Sequence, residues 1–410
     1  MKIKSIILAS VSLLALSATA KVQSGKGPTL KIGGSLTAMG IATNQQVRTT
    51  QNTNVFTKGN IMFNVGGESS NGLTYGAAAV LELDRAKSNS DRISEAYVYM
   101  THADTGTFMI GDVNGVEKTL MYTGVDVLGG NGGPGSTDLS KLVNTPVGVD
   151  YNSSIAPSED TASKIVYISP NVSGFQMGLS FTPNTANVGR TPGVRYFSGS
   201  ATPNHGPSTR YSVNQLAGAV SYNKAVNNDL NYGLYLAGTT AEGKPAQTND
   251  SVNGEQSTGF KVHNENQWQF GTLVDYRNFQ FGATYFDKGN SLIRTDRKFT
   301  NTHGYNAAVG YNLASNTNVS LGWTHTQRKV QNGKAKADIA TATLDHVIVP
   351  GLVGFVEVDY MKLHTTPGQL VLRGTTTTAA LTSSDIYDNY PSNNKNNIAT
   401  VAMVGTKIRF

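Results

Sequence analysis

The strongest constraint in this sequence is a period-two alternation that recurs along the chain. Phe175, Met177, Leu179 and Phe181 alternate with Gln176, Gly178 and Ser180. Phe279, Phe281, Ala283 and Tyr285 alternate with Gln280, Gly282 and Thr284; Trp268, Phe270, Thr272, Val274 and Tyr276 alternate with Gln269, Gly271 and Asp275. Val319, Leu321 and Trp323 oppose Ser320, Gly322 and Thr324, and Val356, Val358 and Tyr360 oppose Glu357 and Asp359. Successive side chains of a strand point to opposite faces, so each run predicts a strand with one apolar and one polar face. A soluble sandwich alternates too. Here the runs reach about 9–12 residues, the length at which a tilted strand crosses a bilayer, and aromatics gather near their ends. Both features favour a transmembrane antiparallel β-barrel with its apolar face on lipid and its polar face on a wet lumen.

The connections support the same arrangement. Ser69–Gly72, Asp104–Gly106, Asn171–Gly174, Asn227–Asn228 and Pro350–Gly351 read as tight turns, because Asn and Gly supply positive φ. Between them lie long polar stretches, near 113–162, 183–212, 240–265, 288–302, 327–336 and 364–395. Short turns on one side and long loops on the other are the habit of outer-membrane barrels. The segments predict sixteen strands, an even number that lets hairpins close the sheet. Three of them, 106–112, 163–169 and 337–348, have an ambiguous face parity.

Composition removes several alternatives. Hydrophobic residues make up 38% of the 410, too few for several apolar helices of about 20 residues. There is no cysteine, which excludes disulfide scaffolds and Cys-based zinc modules. Lys2 and Lys4, the apolar stretch Ile6 to Leu16 and Ala18-Thr19-Ala20 read as a cleaved export signal over residues 1–20, leaving 21–410 as one barrel domain. Without the two leader lysines the formal charge of +6 falls to a modest excess of four, spread without a nucleic-acid footprint. Gly130-Asn-Gly132-Gly-Pro-Gly135 satisfies a dinucleotide pattern, but Pro134 and the missing helix make it a flexible loop instead. None of the seven histidines forms a metal-binding pair, and no nucleophile elbow is present, so no catalytic residue, metal or cofactor is expected.

The chain ends Val404-Gly-Thr-Lys-Ile-Arg-Phe410, apolar on one face and basic on the other. With sixteen strands, an export signal and this terminal Phe, the sequence resembles the general diffusion porins of Gram-negative outer membranes. The resemblance covers essentially the whole chain after the leader. Its local matches are Ala96-Tyr97-Val98-Tyr99-Met100 and Ile110-Gly111-Asp112 before the longest loop. It implies a passive channel for small hydrophilic solutes, a homotrimer in the lipopolysaccharide-containing outer membrane, and Phe410 as part of the signal read by the barrel-assembly machinery. It also implies that the third long connection folds into the lumen.

That connection, 113–162, is acidic, and its charged residues are Glu117, Lys118, Asp126, Asp138, Lys141, Asp150, Glu159 and Asp160. Thr137 to Leu142 suits a short helical turn capped at Thr137 or Asp138. Strand parity puts Lys58, Glu82, Asp84, Arg92, Glu357 and Asp359 on the pore wall. The resemblance implies an arginine-rich wall opposite the acidic loop, and this chain departs from it. Ser94 stands where such porins often have Arg, and Asp112 follows Gly111 where Gly-Arg is common. A thinned basic wall predicts weak selectivity leaning to cations. The rival readings are a substrate-specific channel of the same fold and a secreted β-rich adhesin.

Overall fold

A computed structural model describes residues 27–47, 52–83, 93–136, 138–146, 148–155, 162–185, 211–244, 247–248, 256–257, 261–293, 295, 300–330, 333–366 and 396–410. The export signal 1–20, Asp84, Arg92, Glu159 and Asp160 lie outside the described residues, as do most of the connections 183–212 and 364–395.

The chain forms β1 (Thr29–Gln45), β2 (Thr53–Glu68), β3 (Thr74–Glu82), β4 (Ile93–His102), β5 (Gly106–Asp112), β6 (Ser163–Ile168), β7 (Phe175–Asn184), β8 (Tyr211–Ala225) and β9 (Leu230–Lys244). After a two-residue pair, β10 (Gln247–Thr248) and β11 (Gln256–Ser257), come β12 (Glu265–Tyr276), β13 (Phe279–Gly289), β14 (Thr300–Ala314), β15 (Thr317–Val330), β16 (Gly333–Val349), β17 (Leu352–His364) and β18 (Asn397–Arg409). All except β10 and β11 pair antiparallel with their neighbours in one closed barrel of sixteen strands. β1 closes on β18 from Ser35↔Arg409 to Gln45↔Ala399. Beyond the last ladder pair, Gly34 N–H donates to the Phe410 carbonyl at 3.0 Å and Phe410 N–H returns to Gly34 at 3.1 Å. Closure satisfies the backbone groups that an open edge would leave unpaired in lipid.

The apolar face points outward. Phe175, Met177, Leu179 and Phe181 are exposed, and so are Leu321, Trp323, Val356, Val358 and Tyr360. Between them Ser180, Thr182, Ser320, Thr324, Glu357 and Asp359 are buried. This is the inverse of a soluble sandwich. Outer aromatics pair near both ends of the strands: Phe175 with Tyr222 at 4.3 Å and Phe279 with Tyr311 at 4.7 Å beside the short turns. Trp268 with Tyr285 at 5.2 Å and Tyr305 with Trp323 at 5.1 Å lie toward the long connections. Two aromatic belts are the mark of strands that cross both membrane interfaces.

The strands run further toward the long connections than the alternation implies. β1 runs on to Gln45, and β15 and β16 absorb nearly all of 327–336, leaving only 331–332 between them. Those extensions rise above any lipid band, so their outer faces need not be apolar and the alternation fades. Strand β12 also stops at Tyr276, and Arg277, at φ +55°, makes the turn with Asn278, where the sequence pattern puts two strands, 266–277 and 278–287, end to end without a connection.

Candidate functional site

The site is built by residues 113–155, which leave β5 and run along the inner wall of the barrel. They carry two short helices, α1 (Val116–Thr119) and α2 (Asp138–Leu142), and 3-10 turns at Gly124–Val127 and Gly133–Gly135. The run begins on an apolar seat. Val116 and Leu120 pack with inward residues of successive strands, Tyr99, Met109, Val166, Ala219 and Tyr235 among them. Ser180 Oγ accepts from Val116 N–H at 3.4 Å, and the Tyr235 hydroxyl donates to the Glu117 carbonyl oxygen. This seat explains the ambiguous parity of 106–112 and 163–169. Their inner faces are also apolar, because they bury α1 and not water.

From Leu120 to Leu128 the wall makes room with glycine. Gly178, Gly233, Gly271, Gly282, Gly310 and Gly322 stand on the inner face of β7, β9, β12, β13, β14 and β15, beneath residues 116–128. A β-carbon on Gly233 would meet the Tyr122 ring at 2.9 Å, one on Gly282 would meet Gly124 and Val127 at 2.9 Å, and one on Gly322 would meet Leu128 at 2.9 Å. On Gly271 it would overlap the Tyr122 carbonyl oxygen. Gly124 N–H donates to Thr284 Oγ1 at 2.9 Å. Asp126 takes the Thr123 N–H at 2.6 Å in a capping box; the residue is exposed, and desolvation by its surroundings pushes its carboxyl up despite this bond.

The glycine-rich bend comes next. Gly130, Gly132 and Gly133 all have positive φ, which turns successive N–H groups toward one point. That point is the carboxylate of Glu357 on β17. It accepts Asn131 N–H at 2.5 Å, Gly132 N–H at 3.1 Å and Gly133 N–H at 3.2 Å, and it is fully buried. Asp345 accepts Gly130 N–H at 2.7 Å. The Gly130–Gly135 run therefore does for a carboxylate of its own barrel what such nests do for phosphate. It is pinned, not the flexible loop that its composition suggests. Asp359, also fully buried, accepts from Thr341 Oγ1 at 2.6 Å.

Beyond the bend, Asp138 at the start of α2 meets Lys58 of β2 at 2.5 Å and takes further hydrogen bonds from Asn131 and Ser136 at 3.1 Å. Burial pushes the Asp138 carboxyl up, but these partners, Lys58 foremost, outweigh it and hold it below the ordinary range. Leu139 and Val143 bury against Ile339, Met361, Leu363, Val401 and Met403. That contact accounts for the third ambiguous strand, where Ala337 and Ile339 face inward. Gln45 Nε2 donates to the Leu142 carbonyl at 3.3 Å, and Asn397 Nδ2 donates to that of Asn144 at 2.8 Å. The segment then returns: Asp150 faces Arg328 at 3.4 Å, Asn306 Nδ2 donates to the Ser153 carbonyl at 2.7 Å, and Gln269 Oε1 accepts Ile155 N–H at 2.8 Å. Burial raises the Asp150 carboxyl, and Lys288 and Arg328 more than reverse it.

Of the predicted residues the structure brings together Asp138 and Lys58 and sets Glu357 against the glycine bend, whereas Glu117, Asp126 and Asp150 lie elsewhere along the segment and Asp359 bonds to Thr341. Glu82 pairs with Ser94 at 2.9 Å and Asp112 with Ser163 at 2.5 Å, both with neutral partners from an adjacent strand. Lys141 is part of α2; nothing further is described of its side chain. Gln45, Asn397, Gln269, Asn306 and the glycine row escaped the sequence reading. Their only signal is indirect: glycines on the inner-face parity of several strands, and apolar residues on faces otherwise polar.

A family model described as Gram-negative porin matches residues 8–346. Among relatives, the chain is 27% identical over 277 residues to an uncharacterized protein of Rickettsia bellii, covering 61% of this chain and 57% of that one. It is 23% identical over 383 residues to one of Rickettsia conorii, covering 83% and 81%. The chain therefore spans little more than half the length of the first of these. Among solved structures, the anion-selective porin from Comamonas acidovorans superposes with a TM-score of 0.57 at 12% identity, over 93% of this chain and all of that one. The trimer form of OmpT, an outer membrane protein of Vibrio cholerae, gives 0.51 at 10%, over 93% of this chain and all of that one. At such identities the likeness is one of fold. The closed sixteen-stranded barrel and the family match over most of the sequence lead to one statement: this chain belongs to the Gram-negative porin family.

Proposed function

We propose that the protein is an outer-membrane channel through which small hydrophilic solutes and ions diffuse passively, with residues 113–155 as its constriction and a weak preference for cations. No covalent step is involved. The observation that carries the reading is a long polar segment bonded along the inner wall of a barrel whose outer face is apolar. A sixteen-stranded barrel without such a segment would leave a wide aqueous tube. The charge of this segment supports only a weak field. Asp138 and Asp150 are matched by Lys58 and Arg328, and Glu357 is enclosed by backbone N–H groups. Asp126 is exposed on the segment and bonded to the backbone of Thr123; its surroundings push its carboxyl up by desolvation, so it leans the balance to cations only weakly. A homotrimer is part of the proposal, supported by the family. Export by residues 1–20 and recognition of Phe410 by the assembly machinery are proposed on the sequence pattern.

The test is planar-bilayer recording of the purified protein. Discrete conductance steps, grouped in threes, and a reversal potential of cationic sign in a KCl gradient are expected. Absence of steps at good protein load would refute the channel. Clear chloride preference would refute the selectivity and align the protein with the anion-selective neighbour.

A further inference from the structure

One stretch of the inner wall does little to hold the segment. Just inside the short turns, successive strands turn amide side chains inward. Asn223 of β8, Asn231 of β9, Gln280 of β13, Asn312 of β14 and Asn318 of β15 have the parity of the buried Ser221, Gly233, Thr284, Ala308 and Ser320. Strand β12 adds Asp275, whose register partners are Asn231 on one side and Gln280 on the other. The row ends where Asn318 faces Asp345, among the charged groups that grip the glycine bend.

The row is bonded to itself. Asn231 Nδ2 donates to Asp275 Oδ2 at 3.5 Å, Gln280 Nε2 donates to Asp275 Oδ1 at 3.1 Å, and Asn318 Nδ2 donates to Asn312 Oδ1 at 3.0 Å. Among the described residues no Lys or Arg is in an ion pair with Asp275. Tyr122 of the segment overhangs the row. Its half-buried ring lies on Gly233, two residues from Asn231 on the same face of β9, and its hydroxyl accepts from Asn223 Nδ2 at 3.4 Å.

The chemistry of this row selects a class of solute. An amide has two N–H donors and an acceptor oxygen, and these bonds use only part of that capacity. Asn231 Oδ1 accepts no hydrogen bond, so this amide gives up only one long bond in turning to an incoming group. Neutral donors and acceptors around one carboxylate match hydroxyl groups, which both donate and accept; a carboxylate can take two neighbouring hydroxyls at once. An aromatic ring beside them offers an apolar face to the C–H side of the same molecule. An anion would meet Asp275 without a facing base, and an apolar solute would desolvate the amides without replacing their bonds.

We propose that this row is a binding strip for a neutral polyhydroxylated solute, of the size of a small sugar, with Asn231, Asp275 and Gln280 as its hydrogen-bonding groups and Tyr122 as its apolar wall. The proposal deepens the channel reading and rests on it, because the row must face pore water. Solute that has passed the segment toward the short turns meets the strip next.

The test is equilibrium dialysis of the full chain in detergent against radiolabelled sucrose, with polyethylene glycol of matched size as competitor. Sucrose should bind saturably, and the glycol, which lacks neighbouring hydroxyls, should not displace it. Asn231→Leu combined with Gln280→Leu should weaken sucrose binding by about tenfold or more, as the loss of two hydrogen bonds predicts, and Asp275→Ala should do the same. Binding that does not saturate, displacement by the glycol, or unchanged binding by both variants would each overturn the proposal. If the variants fail to fold, the contrast between sucrose and the glycol on the unaltered protein decides. Planar-bilayer recordings are made in parallel. Saturable sucrose binding without conductance would count against the channel reading, and conductance without saturable binding would count against the strip alone.

Discussion

Between β7 and β15 the inner wall meets residues 116–128 largely with glycine, while between β16 and β2 it meets residues 129–144 with carboxylates, a lysine and buried apolar side chains. The first arc works by subtraction. Removing side chains from six inner-face positions lets a polypeptide lie against the sheet, and the glycine contacts themselves carry no charge. The second arc works by reach. Glu357 and Asp345 collect four backbone N–H groups, and Lys58 holds Asp138. That arc tolerates small shifts of the backbone but depends on charge.

The comparison breaks most sharply at Glu357. Glu357→Ala orphans three N–H groups in a buried site, so a loss of about 3 kcal/mol is expected from desolvation of unpaired donors. The readout is thermal unfolding together with a noisier, larger single-channel conductance as the bend detaches. Glu357→Gln, which keeps one acceptor oxygen, should cost visibly less. On the glycine arc, Gly271→Ala should destabilise by about 1–3 kcal/mol through overpacking against the Tyr122 carbonyl. Its conductance should change without loss of the acid transition set by Asp138, whereas the Glu357 and Asp138 variants should alter the pH profile.

The next effect separates the arcs by acid. The Asp138 carboxyl is held below its ordinary value, so its contribution is present above the unfolded-state value and is lost as pH falls through the depressed folded one. The part of the conductance that depends on the Lys58–Asp138 contact should therefore persist through the usual carboxylate range near about pH 4 and be lost only below it. Asp138→Asn should remove that transition at a cost of about 1 kcal/mol, since Lys58 is partly exposed and its pairing is screened. The smallest effect sharpens the functional reading. Asp126→Asn should leave thermal stability nearly unchanged, because the amide oxygen can still accept the Thr123 N–H, and should move the reversal potential toward chloride. An unaltered reversal potential would show that Asp126 does not set selectivity.

The barrel was legible residue by residue because its signal is local. Phe175 to Phe181 declares a strand with two faces within seven positions, and the same parity at Val356 to Tyr360 already places Glu357 and Asp359 on the inner wall. The site was only half legible. The acids of 113–155 could be named, but their partners lie far along the chain: Lys58 is 80 positions from Asp138, and Glu357 is 226 from Asn131. Where the inner face was apolar, at Val166 or Ile339, alternation lost its meaning, since those residues answer to a segment inside the barrel and not to water.

What the sequence by itself determined is the period, the strand number and the inversion of polar and apolar faces, because each follows from which neighbours a side chain has along one strand. What only the tertiary structure decided is which inner residues remain in contact with water. Glu357 has the parity of a pore-lining acid, yet the folded segment covers it and turns its charge to holding a glycine bend. Burial of that kind is a property of what closes over a residue across the barrel, and no local pattern encodes it.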